Sequence, residues 1–431
     1  MKVIIGQTAY TKLRGLSFAP EADLSGATLP ICQFQADIIT GATLPPGGWA
    51  ELKDDLGNLW ARYWIADSYR LDSQAVRLIA KSPLELLDRV ELDPVLYADA
   101  HVYDVFDDIF DAVPEADFTM DASFAEKLIS GWAPRQTARQ RLQWVCLVIG
   151  AYVKQFFDDR LRAVPIDDTA APIQSSDVFW KPELSYRDPV TAVQATAFSF
   201  AQGTPAATDE YVTDGTNYYI VSRTEASLAN PGVTAADPEN PVTLGDVMLV
   251  STGYISSVLS HLATYYFDRT AVEAKVVNNG AYKPGDRVQI PVDDETLVTG
   301  YISKADFSFG LQAASRLRLT AVEQVGSAIL TVYRVCNGKQ IGLDKYLFPV
   351  GYQYSITNRY IDAAEQGHRY IYRPTTAAVT GTMAEGSNTA TVQYAVALDL
   401  YEGVLHVISV DDVTEITEGS GADQITIGVI E

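Results

Sequence analysis

Apolar residues in this chain recur at every second position near its start. They recur every three to four positions in the middle and at every second position again toward the end. A chain patterned this way cannot be a single helical bundle or one uniform sheet; it must be β-rich with an enclosed helical block. In PICQFQADIIT, Ile31, Gln33 and Gln35 alternate with Cys32, Phe34, Ala36 and Ile38. In WAELKDDLGNLWARYWIADSYRL, the turn residues Asp54, Asp55, Gly57 and Asn58 separate two strand-like runs, which predicts a hairpin. SQAVRLIAK adds a third run. Ser82-Pro83 followed by Glu85 predicts a short helix, with Ser82 as N-cap and Pro83 at its first position. Short strands closed by one small helix predict a compact barrel or half-barrel for residues 1–92.

From about 93 to 170 the period is helical. ADAHVYDVFDDIFDAV sets Val102, Val105, Phe106, Ile109 and Val113 on one stripe, with Asp104, Asp107, Asp108 and Asp111 largely opposite. The run from Thr137 to Phe157 is the longest predicted helix, carrying Leu142, Val145, Cys146, Ile149, Val153 and Phe156 at three-to-four spacing. Arg135, Arg139 and Arg141 stand near its start, and DDRLRAVPI reads as a short hairpin arm. Residues 170–250 are rich in loop signals, with one hairpin turning at Asp214-Gly215 into YYIVS. GYISSVLSHLATYYFDR then reads as a helix. The strands AVEAKVV, DRVQIPV, TLVTGYISKADFSF and SRLRLTAVE follow, punctuated by Asn279-Gly280, Pro284-Gly285 and Asp293-Asp294. Residues 331–431 are β-like, with IYRP, TVQYAVALDLYE and VLHVISV between Gly- and Ser-rich turns. No exact repeat occurs, yet residues 1–92 and 253–325 are both a set of short strands with one helix, the pattern of a diverged duplication.

Composition narrows the function. The chain has 431 residues, 32 basic against 55 acidic, for a net charge of −23, and 47% of it is hydrophobic. It contains no run of the ~18 apolar residues that a membrane span requires. Disorder, a collagen-like chain and membrane insertion are excluded, and a role coating DNA or an anionic membrane is disfavoured. Cys32, Cys146 and Cys336 are odd in number and far apart, which excludes a disulfide scaffold or zinc ribbon; Cys32 and Cys146 read as plain buried thiols. The start, MKVIIGQTAY, lacks an apolar segment long enough for a secretory signal, so synthesis in the cytoplasm is expected.

Motifs for chemistry are missing. Asp104, Asp107 and Asp111 share a helical face but lack the wrapping loop or partner helix that divalent binding needs, so they read as a solvated face. His101, His261, His368 and His406 are isolated, without zinc-ligand spacing. Neither a nucleophile elbow nor a phosphate loop occurs. The tyrosine pairs Tyr218/Tyr219, Tyr265/Tyr266, Tyr352/Tyr354 and Tyr370/Tyr372 suit strand pairing and interfaces, with sugar binding as the other reading of the C-terminal set. No catalytic, cofactor-binding or metal-ligating residue is assigned, and no cofactor is expected. Two carboxylates of a glycosidase need no local motif, so an acidic surface protein that binds or cleaves carbohydrate is the alternative.

The order of elements resembles the hub proteins of phage tails and contractile injection systems, which cap the tail tube at the baseplate or tail tip. Three stretches carry the likeness: PICQFQADIITG with WAELKDDLGNLWARYWIADSYRLDSQAVRLIAK and SPLELLDR; TARQRLQWVCLVIGAYVKQFFDDRLRAVPI, similar to that family's helix and two-stranded arm; and SVLSHLATYYFDR with AYKPGDRVQIPVDDETLVTGYISKADFSFG. In the family, Pro284-Gly285-Asp286 would begin a strand of a tube-like barrel and Gly300-Tyr301-Ile302 would continue it. The likeness spans roughly residues 1–325. It implies a β-rich α+β chain with two tube-like barrels: 1–92 for the first, 93–185 for an α+β insert, and 186–330 for the second with a loop-rich insertion at about 201–250; residues 331–431 depart from the likeness and are read from their own β-like pattern as a C-terminal β-sandwich-like accessory domain. It further implies a structural virion protein, made in the host cytoplasm and placed at the tail tip. Three copies would offer six barrels to a sixfold tube and a threefold tip or spike. Implied partners are two further copies, a tail tube or distal tail ring protein, a tape measure protein, a tip, spike or fibre protein, and DNA in transit through an acidic lumen. No peptidase, lysozyme or spike signature is visible.

Overall fold

A computed structural model describes all residues except 174–176, 180–181, 187, 235–238, 268–269, 294–295, 310–312, 366–367, 402–403, 407–413, 419–424 and 430–431; side chains within 363–369 and 396–431 are likewise outside the described set. The chain divides into two compact units, Met1–Gln289 with Thr299–Glu323, and Ile290–Val298 with Gln324–Glu431.

The first unit is built on a thirteen-stranded sheet. In its front set, Gln33–Ile39 pairs with Ala75–Lys81, Ala75–Lys81 with Leu59–Arg70, and Leu59–Arg70 with Trp49–Lys53, all antiparallel. The rear set has the same connectivity: Ala271–Val277 pairs with Ala314–Val325, which neighbours Leu297–Ser308, which neighbours Arg287–Pro291. Its first three strands begin at one constant step of 238 (33 to 271, 49 to 287, 59 to 297), and the fourth at 239 (75 to 314). Hydrogen bonds repeat as well. Gly47 N donates to Ile65 O at 2.9 Å and Ile65 N to Gly48 O at 3.0 Å, while Gly285 N donates to Ile302 O at 2.8 Å and Ile302 N to Asp286 O at 2.9 Å. Matched positions are buried for the same reason, since alternate residues of a strand share one face: Phe34, Ala36 and Ile38 in front, Val272, Ala274 and Val276 behind.

Leu13–Phe18 joins the two sets. It pairs with Gln33–Ile39 on one side and, through Phe18 opposite Phe307, with Leu297–Ser308 on the other. Phe18 stacks on Phe307 at 5.8 Å, and Trp60 lies 4.9 Å from Phe307, 5.0 Å from Phe157 and 5.4 Å from Phe309. The half-barrel expectation thus takes the form of two repeated half-barrels edge to edge around an aromatic cluster.

Helices α1 (Leu84–Leu87), α2 (Val102–Asp111), α3 (Ala138–Ile149) and α4 (Ile255–Tyr266) share one apolar core, with Leu84, Val105, Leu142 and Leu262 among its members. The predicted stripe of α2 is buried, Val113 included. Three local expectations are corrected. First, α3 stops at Ile149, not Phe157: Gly150 turns left-handed (φ 70°) and Ala151–Lys154 is a strand pairing with Leu161–Pro165. A step of four residues, as from Ile149 to Val153, fits both a helix and a strand, so spacing alone misplaced the end. The start of α3 is sharp, with a capping box between Thr137 and Gln140. Second, the stretch before α2 is the strand Val95–His101, paired with Leu128–Ala133. Third, Ser82 does not cap α1; its hydroxyl has no partner, the cap position is Pro83, and the turn is closed by Glu85 N donating to Ser82 O at 3.0 Å. The hairpin expected at Asp214-Gly215 is present, Tyr211–Thr213 pairing with Tyr218–Ala229, and the latter pairs on its other side with Ala192–Gln202, where Val193, Ala195 and Ala197 are buried with period two.

Gly131 lies where the backbone of Leu128–Ala133 meets residues 248–249. Its φ is +147°, and a Cβ there would stand 2.5 Å from Met248 O and 2.8 Å from Leu249 Cα. Gly131→Ala is expected to lower first-unit stability by at least ~2 kcal/mol, since both strain and a backbone clash must be relieved. A denaturant midpoint unchanged from wild type would refute this.

In the second unit Ser327–Cys336 pairs antiparallel with Lys339–Pro349 and parallel with Ser387–Tyr401, and His368–Pro374 lies beyond. A separate pair, Gln353–Thr357 with Ala378–Thr382, supplies Tyr354 and Ile356 to a core with Leu330, Val332, Phe348 and Val392.

Candidate functional site

The residues that sequence singles out for chemistry are not brought together. Asp104, Asp107, Asp108 and Asp111 lie exposed along α2. Partial burial, then mutual repulsion, raises the carboxyls of Asp107 and Asp108, with Arg141 opposing the rise at Asp108. Among the described residues no group of three or more His, Cys, Asp or Glu can hold a metal ion. His101 is exposed at the start of α2, and the side chains of His368 and His406 lie outside the described residues. All three cysteines are buried and none forms a disulfide; burial pushes the thiols of Cys32 and Cys146 up to about 12. Such thiols are inert packing groups.

The arginines that stand out in the sequence are anchors. Arg135 meets Asp93 at 2.7 Å, Arg139 donates to Leu29 O at 2.7 Å, and Arg141, itself buried, donates to Asp93 O at 2.7 Å and Pro134 O at 3.1 Å. The tyrosines mostly serve ring packing: Tyr265 on Tyr301 at 5.8 Å, Tyr352 on Phe348 at 5.1 Å, Tyr218 on Tyr211 at 5.5 Å, and Tyr370 on Tyr372 at 6.0 Å.

A cavity of about 410 Å³ is lined by Lys127, Ile149, Asp168, His261, Tyr265 and Tyr301. Its polar groups are largely committed. Lys127 Nζ donates to Ile149 O at 2.6 Å, where a cation suits the C-terminal end of α3, and the Tyr301 hydroxyl bonds the Asp168 carboxylate. His261 lies edge-on to Tyr265 at 5.3 Å with Nε2 unpartnered. Burial holds its imidazole below the ordinary range, against smaller opposing pulls from the Leu24 backbone and Asp23. A base depressed in the folded state contributes fully above its unfolded value of ~6.5, and the contribution is lost as pH falls below it. Stability is therefore expected to fall more steeply below about pH 6.5 in the wild type than in His261→Gln; parallel melting-temperature profiles would refute this.

The sequence reading missed the Phe18–Phe307 joint. A signal for it exists in the matched Pro46-Gly47 and Pro284-Gly285, which precede equivalent strands at the same step.

The described residues thus carry two matched half-barrels and a helical insert, with no gathered catalytic groups among them. Neither a protein-family model nor a curated protein matches the sequence. Solved structures do match it. A tail protein from Neisseria meningitidis MC58 is 14% identical, with a TM-score of 0.51 over 74% of this chain and 95% of that one. The 43 kDa tail protein of prophage MuSo2 from Shewanella oneidensis is 10% identical, with a TM-score of 0.50 over 74% and 97%. A prophage tail protein from Listeria monocytogenes EGD-e is 9% identical, with a TM-score of 0.50 over 74% and 93%. The fold of this chain is therefore β-rich α+β and is the fold of phage tail proteins; at these identities the likeness is one of fold.

Proposed function

We propose that this chain is a structural, non-enzymatic hub of a phage tail tip or baseplate, working as a homotrimer within the virion. The observation that carries this reading is the four-strand unit present twice, three strands offset by 238 residues and the fourth by 239, and joined edge to edge. Three such chains present six near-equivalent units to a sixfold tail tube or distal ring while keeping threefold symmetry for a tip, spike or fibre. On this reading residues 1–92 and 186–330 serve as the ring-forming parts, 93–185 as the insert that faces neighbouring tail proteins, and 331–431 as an accessory module. The net charge of −23 suits a conduit that lets the tape measure protein and DNA pass without trapping phosphate. Native mass measurement tests the reading: a particle of three 47.1 kDa chains and rings in electron images are expected. A chain that stays monomeric at every concentration and is absent from purified tails would overturn it.

A further inference from the structure

The long hairpin beside the helical core leaves one strand edge unused. Tyr218–Ala229 pairs along one side with the whole of Ala192–Gln202, in unbroken register. Its even-numbered residues carry that ladder: at its two ends Gly203 N donates to Tyr218 O at 3.1 Å and Asn230 N to Thr191 O at 2.9 Å. The odd-numbered residues therefore turn their N–H and C=O groups to the other side. There Tyr211–Thr213 covers only Tyr218 to Ile220, and Val221 N makes the last outward bond, to Glu210 O at 2.8 Å. From 223 to 229, nothing pairs with that side among the described residues. The chain after 229 leaves for the opposite side of the hairpin, where Asn240 N donates to Thr191 Oγ1 at 3.0 Å and Pro241–Thr243 pairs with Ala192–Gln202.

Proteins that leave an edge empty guard it with proline, a bulge or free charge. Residues 222–229 hold no proline or glycine and no bulge, and Arg223 is committed to Glu210 at 2.9 Å and Asp246 at 2.7 Å. The side chains on each face define what a further strand must carry. On one face Val193 opposes Leu228 and Ala195 opposes Ala226; Val193 and Ala195 are buried in the core, yet Leu228 is 37% exposed, so these apolar rows end one strand short of cover. On the other face Gln194 opposes Ser227 and Thr196 opposes Glu225, and with Thr243 they line a polar trough of about 400 Å³. Glu225 is exposed there and makes no ion pair among the described residues.

We infer that residues 223–229 accept, by strand addition, an extended segment of a different protein. That segment is apolar on the side of Ala226 and Leu228 and polar on the other, with a lysine or arginine opposite Glu225. Residues 223, 225, 227 and 229 each give the added strand one donor and one acceptor, and the cross-strand pair of opposite charge adds to the ladder. An edge that pairs with itself needs a two-fold axis, whereas a threefold assembly closes only through unlike surfaces, so a second copy does not fill this one. That choice of occupant rests on the trimeric reading above. The net charge of −23 favours the same occupant, because a cationic segment is drawn to this chain and another copy is repelled by it.

The test titrates the full chain with a short capped peptide of alternating valine and threonine carrying a central lysine, and follows amide exchange residue by residue. Amides of Arg223, Glu225, Ser227 and Ala229 are expected to slow at least ~10-fold at saturation, while those of Thr224, Ala226 and Leu228, already bonded within the hairpin, keep their rates. Ser227→Pro removes an outward N–H and no hairpin bond, so it should keep the wild-type melting transition and lose the protection. Glu225→Lys should weaken binding ~3-fold and favour a peptide with glutamate in place of the lysine. In purified tails the same four amides should be protected without peptide. A peptide N-methylated at its lysine and threonine amides, the ones that face the edge, should protect nothing. Equal protection by it would reduce the contact to charge alone and overturn the inference, as would tails in which the four amides exchange as in the free chain. Protection that grows with the concentration of the free chain overturns the choice of a different protein. A chain that proves monomeric yet gains protection from the peptide sustains the edge site and sinks only the trimeric reading.

Discussion

Phe307→Ala is expected to destabilise the first unit by about 3–5 kcal/mol, the range for removing a buried aromatic ring. Phe307 is 5% exposed and touches Phe18, Trp60, Phe157 and Phe309. These rings come from both half-barrels and from the arm between them, so the cavity left behind has walls on separately anchored backbone and cannot readily collapse. For a body of this size the melting transition should drop by roughly 6–12 °C. The five described tryptophans (49, 60, 64, 132 and 144) belong to the first unit, so tryptophan fluorescence reads this transition. Leu343→Ala, at a 43% exposed site, should stay within ~0.5 kcal/mol of wild type. A Phe307→Ala loss under ~1 kcal/mol would mean that the aromatic cluster is not what joins the half-barrels.

Asp344→Ala should unfold the second unit selectively. Arg334 is 2% exposed; its Nε donates to Asp344 Oδ2 at 2.7 Å, and its remaining nitrogens bond Asp344 and the Tyr394 hydroxyl, which in turn donates to Arg359 O at 2.9 Å. Removing the carboxylate leaves a buried guanidinium without its counter-charge, a change that costs about 3–5 kcal/mol. Replacing both partners, Arg334→Met with Asp344→Leu, should recover most of that loss, because an apolar pair of similar volume avoids the desolvation of both charges. Hydrogen exchange across 327–357 would show the loss and the recovery, while the tryptophan transition of the first unit stays where it was. Equal destabilisation by the single and double variants would contradict the account.

Much of the architecture was legible because it is written in local periodicity. The alternation around Phe34 and Ile38 marks a strand, Asp54 to Asn58 mark a turn, and the stripe from Val102 to Val113 marks a helix face; each needs only neighbours within one element. The errors came where two local rules agree. Ile149 to Val153 satisfies helix and strand alike, and only the strand partner Leu161–Pro165 decides between them.

The sequence by itself determined the β-rich plan with its helical insert, the burial of Cys32 and Cys146, and the lack of any spaced set of catalytic or metal-binding residues. Only the tertiary structure decided that the two strand sets are one repeated unit and that Phe18 and Phe307 join them. The reason is physical. Periodicity reports which face of an element is apolar, a property of a few consecutive residues, whereas strand register and edge pairing depend on hydrogen bonds between segments hundreds of residues apart, which no local pattern encodes.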